Sequence, residues 1–424
     1  MPAPRPYNPR VLPIAKLAIL LVLFLLALRR GLDLGLVLAG ATLAVEALFP
    51  IPIAAFAGAV ARGIAGRGAI ELVGVIFVTI ALGKIMTEAG TLRVMTRSLA
   101  DVIPDYRLVL ALPPALVGLL PMPAGALVSA PLVNDAAGSK PIAPEARTFI
   151  NYWFRHVWEY IWPLYPGLII GAAVLGIPVR RLALAQYPLT LVAILVGLAW
   201  LFRHLPSDPE DATRPREAAR GARGLAASVW PFAAILVGVF ALRLPILAAL
   251  AATTGVVAIA AVAKGIAPRR LAHLVAESVA PRTLLLLLAV LAFKEALSAC
   301  GALDQIPPAL DSAGIPPLVP LFLAPFLVGL LTGVNQAYVG ITFPLLAPLM
   351  RHAGSADAMP APLDMSLVMF AYVSGFLGIL LSPTHLCLVL TREYFAADFR
   401  RVYRLLAVPV LVLFVAALGL LIVR

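Results

Sequence analysis

The sequence predicts an all-α polytopic membrane protein with about ten transmembrane helices in two inverted repeats, each with a re-entrant hairpin and a broken helix. Three observations support this fold class. The chain is too apolar for a water-soluble core, its two halves share a short segment at equivalent positions, and both halves carry proline and glycine inside long uncharged runs.

The composition places most of the chain in a lipid bilayer. Of 424 residues, 62% are hydrophobic and 13% are charged, and the mean hydropathy is +0.99, which exceeds what one soluble core can bury. The net charge of +12 comes from Lys and Arg clusters between apolar runs, where membrane topology places them, so nucleic-acid binding is not expected. Cys300 and Cys387 show neither metal-ligand spacing nor a disulfide framework. We therefore expect no cofactor and no metal site.

The apolar segments fall into two groups of five, separated by a charged stretch. The first group covers 11–28, 32–49, 69–87, 147–177 and 183–202, and the second covers 228–243, 245–263, 283–299, 365–395 and 402–423. Arg29 and Arg30 follow the first segment where a signal peptide would have a cleavage site, so we interpret this segment as a retained span. These segments predict a first repeat at 1–202, a cytoplasmic linker at 203–227 and a second repeat at 228–424.

An internal repeat supports this division. When residues 90–120 are placed on 301–331, the segment Pro-x-Leu-Val-Gly-Leu-Leu beginning at Pro114 coincides with the one beginning at Pro325. Both copies precede the proline- and glycine-rich stretches. A half with five crossings ends on the membrane face opposite to the one where it begins. The second half would therefore begin on that opposite face, and the two repeats would be inverted, as they are in many secondary transporters.

The first proline-rich stretch lies in an uncharged run from Leu108 to Val133. At ~1.5 Å per residue this run reaches ~39 Å, enough for one crossing of a ~30 Å bilayer core but not for two. The alternatives are one kinked span and a hairpin that re-enters from the cytoplasm. The hairpin places most Lys and Arg on the cytoplasmic face, as the positive-inside rule requires. We therefore predict a tip at "PMPAG", with Pro123, Gly125 and nearby Ser129.

The second copy, "LLTGVNQAYVGITFP" from Leu330 to Pro344, would enter from outside. Its tip offers Thr332, Asn335 and Gln336. The alternative is a polar turn that satisfies its own backbone, but polar side chains at bilayer depth are usually kept for function.

Two apolar segments are interrupted by proline. The segment "EYIWPLYPGLII" contains Tyr165, and "LLSPTHLCLVL" contains Ser382, Thr384 and His385. Broken helices free carbonyls at one half-helix end and amides at the other, which can hold cations and anions. Two tips and two breaks therefore predict four irregular points that meet at one midplane site.

Ionisable residues accompany both breaks. Arg155, His156 and Glu159 precede the first break, and the alternative to a functional role is an i, i+4 pair of Arg155 with Glu159 plus interfacial anchoring by the neighbouring tyrosine and tryptophans. His385 stands alone in an apolar run, as a buried structural histidine or as a proton carrier with an ordinary pKa of ~6.5. Lys84 with Glu88, and Lys294 with Glu295, are expected to form structural pairs.

The chain resembles the integral-membrane domain-of-unknown-function family 401 of the ion transporter superfamily. The resemblance rests on three stretches and extends over nearly the whole chain: "LPMPAGALVSAP" (120–131), "NYWFRHVWEYIWPLYPG" (151–167) and "SPTHLCLVLTREYF" (382–395). Ala124 stands where the family pattern has a second glycine, a departure that affects the tip geometry. The resemblance implies two inverted repeats with scaffold helices, hairpins and broken helices, in homodimers that carry organic or inorganic anions.

These features predict a secondary active transporter for a small anion, an organic acid or an inorganic oxyanion, rather than an enzyme. No GxxxxGK[ST] or HExxH motif is present, which argues against an ATP-driven pump and a metalloprotease. The alternative is an intramembrane enzyme in which Arg155, His156 and Glu159 act on a lipid phosphate headgroup. The coupling ion would be H⁺ or Na⁺, and the titratable His385, Glu159 and His156 favour H⁺. We expect a multi-pass protein of the prokaryotic inner (plasma) membrane with both termini in the periplasm.

Overall fold

The computed structural model describes residues 12–121, 125–208, 217–301, 303–351 and 362–423. The described chain is helical, and its only β-type pairing is an isolated bridge between Arg351 and Leu363. The described part of the first half contains ten helices: α1 Leu12–Arg29, α2 Leu34–Leu48, α3 Ile53–Ala65, α4 Arg67–Glu88, α5 Thr91–Val102, α6 Tyr106–Val117, α7 Gly125–Ala137, α8 Pro144–His156, α9 Pro166–Leu175 and α10 Val179–His204.

The second half contains ten more helices among the described residues. They are α11 Ala218–Leu236, α12 Ile246–Ala263, α13 Pro268–Ala276, α14 Pro281–Ala299, α15 Ile306–Ala313, α16 Leu318–Thr332, α17 Asn335–Leu346, α18 Met365–Leu380, α19 Leu386–Phe395 and α20 Phe399–Val423. A π-helical turn at Val237–Ala241 extends α11.

The order of helices in the second half matches the order in the first. The last helices α10 and α20 have 26 and 25 residues, and the short helices α9 and α19 have 10 each. Contacts between the halves also occur in exchanged pairs: α2 packs on α14 as α12 packs on α4, and α9 packs on α17 as α19 packs on α7. This helix order and these contacts agree with the predicted repeat, which stays a prediction.

The glycine of that shared segment has the same role in both halves. A Cβ on Gly118, at the end of α6, would overlap the backbone carbonyl of Arg155, and a Cβ on Gly329 of α16 would overlap the backbone carbonyl of Gly375. Both sites lie where one hairpin arm packs on the first half of the following broken helix. Only a residue without a side chain permits so close an approach of two helices.

Helices α6 and α7 begin and end at the same side of the molecule. The Tyr106 hydroxyl donates a hydrogen bond to the carbonyl of Pro206 at 2.9 Å, and Lys140 forms an ion pair with Asp208. The start of α6 and the residues that follow α7 therefore both lie against the end of α10. At the entrance, Asp105 caps α6, and its hydrogen bonds with Arg107 lower the pKa of the Asp105 carboxyl below its ordinary value. This arrangement agrees with a hairpin and not with one kinked span.

Among the residues that the structure describes, length and composition identify five helices that can each cross a membrane, and up to seven when two bent helix pairs are each taken as one span. The five are Ile53–Glu88, Val179–His204, Ala218–Ala241, Ile246–Ala263 and Phe399–Val423. Shorter apolar helices of 10–17 residues include the hairpin arm α6 and the broken-helix segments α9 and α18. The chain is an all-helical membrane protein, and the full set of ten crossings stays a prediction.

Several short helices were not predicted from the apolar segments. They are α3, α5, α13, α15 and the beginning of α11. Helix α11 begins at Ala218, so the second part of the predicted linker is helical, and its Gly221 and Gly224 pack on Asp101 and Ser98 of α5. Of these, α5 and α13 are amphipathic and carry enough charge to escape a search for apolar runs.

The predicted pair of Lys84 with Glu88 is wrong. Lys84 pairs with Glu277 at 3.0 Å, and Glu88 pairs with Arg270 at 3.0 Å, so both ion pairs join α4 to the end and start of α13 in the other half. The two partners lie too far along the chain for a local spacing rule to detect. The predicted contact between Lys294 and Glu295 is present at 3.7 Å.

Candidate functional site

The first broken helix opens over nine residues. Helix α8 ends at His156, a series of turns follows, and α9 begins at Pro166. Because proline has no amide hydrogen, it is favoured at the first helical position and cannot continue the preceding helix. The break therefore begins before Pro163, and Glu159 lies on the irregular segment rather than on a helix.

Aromatic donors in this break hold the end of the hairpin arm α6. The Trp158 indole donates to the carbonyl of Ala115 and the Trp162 indole to that of Leu119, both at 2.8 Å. The Tyr165 hydroxyl donates to the carbonyl of Gly118. Tyr152, Trp153 and Trp162 are buried, so these three rings do not anchor the helix at the membrane interface. They attach the broken helix to the protein interior.

The second broken helix opens between α18, which ends at Leu380, and α19, which begins at Leu386. The Ser382 and Thr384 hydroxyls are 2.9 Å apart, and the Thr384 hydroxyl donates to the carbonyl of Leu331 at 3.3 Å. The end of α16 lies directly against this break, because a Cβ on Gly333 would lie 2.7 Å from the His385 Cα. Gly333 has φ +64°, a conformation that favours glycine.

Both breaks and the second hairpin tip surround a cavity of about 300 Å³. Three helices begin at its wall: α9 at Pro166, α17 at Asn335 and α19 at Leu386. Each helix N-terminus presents unpaired amides and the positive end of the helix dipole. The side chains of the cavity wall come from both halves of the chain and include Arg155, Glu159, Tyr165, Asn335, Gln336, Thr384, His385 and Cys387.

Arg155 supplies a buried positive charge to this cavity. Its residue is 3% exposed, and its side chain hydrogen-bonds with Tyr165. The guanidinium lies against the start of α7, where a Cβ on Gly125 would overlap it. The start of the first hairpin's second arm therefore touches the cavity through Arg155, and Gly125 makes room for it.

Glu159 supplies the negative charge and connects the two halves. Its Oε2 accepts a hydrogen bond from the Asn335 side-chain amide at 3.0 Å. Its backbone carbonyl accepts one from the Tyr372 hydroxyl at 3.1 Å. Glu159 is 6% exposed, so the bond from Asn335 partners a carboxylate that is otherwise removed from water. Arg155 lies on α8, whereas Glu159 follows the end of α8 at His156.

Two histidines from opposite halves face each other beside the cavity. The Nε2 atoms of His156 and His385 are 3.0 Å apart. The Nδ1 of His156 lies 2.5 Å from the carbonyl of Tyr152, and the Nδ1 of His385 lies 2.6 Å from the carbonyl of Gly333. His156 Nε2 is also 3.7 Å from Glu159 Oε1.

The predicted site residues are largely brought together. Seven of them line the cavity: Arg155, Glu159, Tyr165, Asn335, Gln336, Thr384 and His385. His156 and Gly125 contact members of this group. Ser129, Thr332 and Ser382 do not line it, because their hydroxyls bond to nearby backbone or side-chain oxygens: Ser129 to Gly125 and Ala126, Thr332 to Val328, and Ser382 to Thr384. Pro123 lies outside the described residues.

Sequence reasoning missed four contributors. Cys387 lines the cavity beside His385, Tyr372 bonds to Glu159, and Asn151 bonds to Thr391 at 2.9 Å and to the carbonyl of Ala126 at 3.1 Å. A signal for Cys387 was present, because it stands two residues after His385 in the second break. Tyr372 and Glu159, and likewise Asn151 and Thr391, are more than 200 residues apart, so no local pattern relates them.

Comparison with known proteins places the chain in a family. No curated protein matches this sequence. The model of a family described as "Protein of unknown function (DUF401)" matches residues 13–423, which is nearly the whole chain. The chain therefore belongs to the DUF401 family.

Proposed function

We propose that this protein is a secondary active transporter for a small anion, either an organic acid or an inorganic oxyanion. One observation carries the proposal. The buried Arg155 guanidinium lies in a cavity where both broken helices and a hairpin of the second half meet. Secondary transporters bind substrate at such irregular points near the bilayer midplane.

The charge of the cavity supports an anionic substrate. The side-chain charges of Arg155 and Glu159 are opposite and cancel. The N-termini of α9, α17 and α19 each add roughly half a positive charge to the cavity. Unpaired amides at these termini are donors that suit carboxylates and oxyanions. A volume of about 300 Å³ suits a small molecule.

The arrangement of helices supports alternating access. The repeated helix order and the exchanged contacts between halves agree with two inverted repeats, the plan of the ion transporter superfamily. In this proposal ten crossings place both termini in the periplasm of a prokaryotic cell. The hairpins and broken helices then move as a unit against the remaining helices, and the cavity faces each side in turn.

Coupling to a gradient of H⁺ or Na⁺ completes the proposal, and we expect the protein to work as a homodimer. A carrier that accumulates an anion against the negative interior of a cell needs such a cation flux. Neither the choice of ion nor the direction of transport is part of the argument for the binding site.

Binding of the anion tests the role of Arg155 most simply. We expect purified protein to be stabilised against heat by at least one member of a panel of small carboxylates and oxyanions. The Arg155→Gln variant should lose this stabilisation. Arg147→Gln is the matched control, because Arg147 lies on the same helix and bonds to Asn134. Equal stabilisation of both variants would remove Arg155 from the site.

A further inference from the structure

The hydrogen bonds of His156 and His385 fix the roles of their ring nitrogens. In both rings Nδ1 faces a backbone carbonyl, of Tyr152 at 2.5 Å and of Gly333 at 2.6 Å. A carbonyl only accepts hydrogen bonds, so each Nδ1 carries a hydrogen. In a neutral imidazole the other nitrogen then presents a lone pair. The two Nε2 lone pairs thus face each other across 3.0 Å, an arrangement that a cation between them would stabilise.

A third donor completes the cluster. One ligand atom from each of His156, His385 and Cys387 lies within 4.8 Å of the others. Cys387 is the second residue of α19, where the helix dipole favours a negatively charged side chain. Glu159 Oε1, 3.7 Å from His156 Nε2, is the nearest carboxylate and a candidate fourth ligand.

We propose that His156, His385 and Cys387 bind a transition-metal ion of the Zn²⁺ class, with Glu159 or solvent in the fourth position. Two imidazoles with one thiolate form a ligand set that suits Zn²⁺ and excludes Mg²⁺ and Ca²⁺, which prefer oxygen. Metal-bound histidines almost always donate their other N–H to a carbonyl or carboxylate, as both rings do here. The carbonyls of Tyr152 and Gly333 therefore orient the ligands.

Distance and charge both agree with such an ion. Two nitrogens about 2.05 Å from a tetrahedral metal lie about 3.3 Å apart, so the rings need to separate by only a few tenths of an ångström. A divalent ion with the Cys387 thiolate and the Glu159 carboxylate has no net charge. Arg155 and the helix N-termini then remain free of repulsion from the metal, and an anion can still bind beside it.

This metal site goes beyond the transport proposal and stands without it. Its ligands come from the breaks of both broken helices, so the ion would join α8 of the first half to α19 of the second. Metal binding can be measured on the purified protein with no substrate present. A failure of the metal site therefore leaves the anion site untouched, and the reverse also holds.

Cobalt titration of the full-length purified protein tests the proposal. Co²⁺ in place of Zn²⁺ should bind once per chain and give a thiolate charge-transfer band together with the intense visible bands of a tetrahedral ion. Cys300→Ser is the matched control and should behave as the natural protein. Cys387→Ser should lose the charge-transfer band and bind Zn²⁺ at least about 100-fold more weakly. Replacing a residue that only hydrogen-bonds to a metal ligand already lowers metal affinity about 10–100-fold, so loss of a ligand should cost at least as much. Titrations of Cys300→Ser and Cys387→Ser that coincide would overturn the site.

A second measurement remains valid if Cys387→Ser does not fold. In the Cys300→Ser protein, Zn²⁺ should slow alkylation of Cys387 at least about tenfold, since a bound thiolate is a poor nucleophile. Equal alkylation rates with and without Zn²⁺ contradict the proposal. If those equal rates accompany a single proton shared by the two imidazoles in the NMR spectrum, that proton is the cation between them and the metal site is wrong.

Discussion

The side-chain amide of Asn335 donates a hydrogen bond to Glu159 Oε2 at 3.0 Å. This bond joins the start of α17, in the second hairpin, to the break between α8 and α9. Both residues are at most 9% exposed, so water does not replace either partner. The position of the second hairpin relative to the first broken helix therefore depends on a polar contact inside the cavity.

Replacing Asn335 should impair binding more than folding. Asn335→Leu keeps a similar volume but removes the donor to Glu159, and a hydrogen bond to a charged group is worth roughly 1.5–3 kcal/mol. We expect affinity for the transported anion to fall about 10-fold or more. Asn134→Leu is the control, because Asn134 bonds to Arg147 away from the cavity. Unchanged affinity in Asn335→Leu would show that the second hairpin tip is not part of the site.

Gly125→Ala should displace the Arg155 guanidinium. The added Cβ would overlap that group, and the buried side chain has little space to move. We expect anion binding to be lost in protein that still purifies as a folded species. Gly255→Ala is the control in α12, where the added Cβ meets nothing within 4 Å, and it should bind normally. Normal binding by Gly125→Ala would contradict the contact between the first hairpin and the cavity.

Gly333→Ala and Gly314→Ala separate backbone strain from contact with the second break. Gly333 has φ +64° and Gly314 has φ +65°, and each follows a helix end. Alanine in this conformation costs about 1–2 kcal/mol. Gly314 has open space, whereas a Cβ on Gly333 would lie 2.7 Å from the His385 Cα. Thermal unfolding should show Gly333→Ala to be the less stable variant, and the reverse order would contradict the close packing of α16 on the break.

Accessibility of single cysteines tests the hairpin topology. In a Cys300→Ser background, Ser139→Cys and Ser207→Cys should both be protected from an impermeant thiol reagent added outside intact cells, because Lys140 pairs with Asp208 on one face. Leu244→Cys, in the exposed turn after the π-helical segment, should react. Reaction of Ser139→Cys from outside would mean that the 108–133 run crosses the membrane once. The natural Cys387 is buried and should not contribute.

The sequence supported most of the helical plan, because apolar length and proline position are local properties. The breaks near Pro166 and Pro383 and the two hairpins follow from residues that cannot continue a helix. The same reasoning predicts that Arg155, Glu159, Asn335 and His385 lie together. Each of these is a polar residue inside an apolar segment, and polar groups at that depth require partners.

The remaining features could not be predicted because they depend on distant contacts. His156 and His385 are 229 residues apart, so their spacing gives no metal-ligand signature. Lys84 was assigned to its helical neighbour Glu88 although its partner Glu277 is 193 residues away. Short amphipathic helices such as α5 and α13 mix charge with apolar residues, so hydropathy alone does not reveal them.

Gradient-driven uptake by purified protein in liposomes is the most direct test of anion transport through the Arg155 cavity. Labelled carboxylates and oxyanions would be supplied under an imposed H⁺ or Na⁺ gradient, with lipid composition analysed in the same vesicles. The account predicts that at least one anion accumulates in vesicles with the natural protein and with Arg147→Gln, but not with Arg155→Gln. Uptake that persists in Arg155→Gln, or turnover of lipid headgroups without any anion uptake, would contradict it.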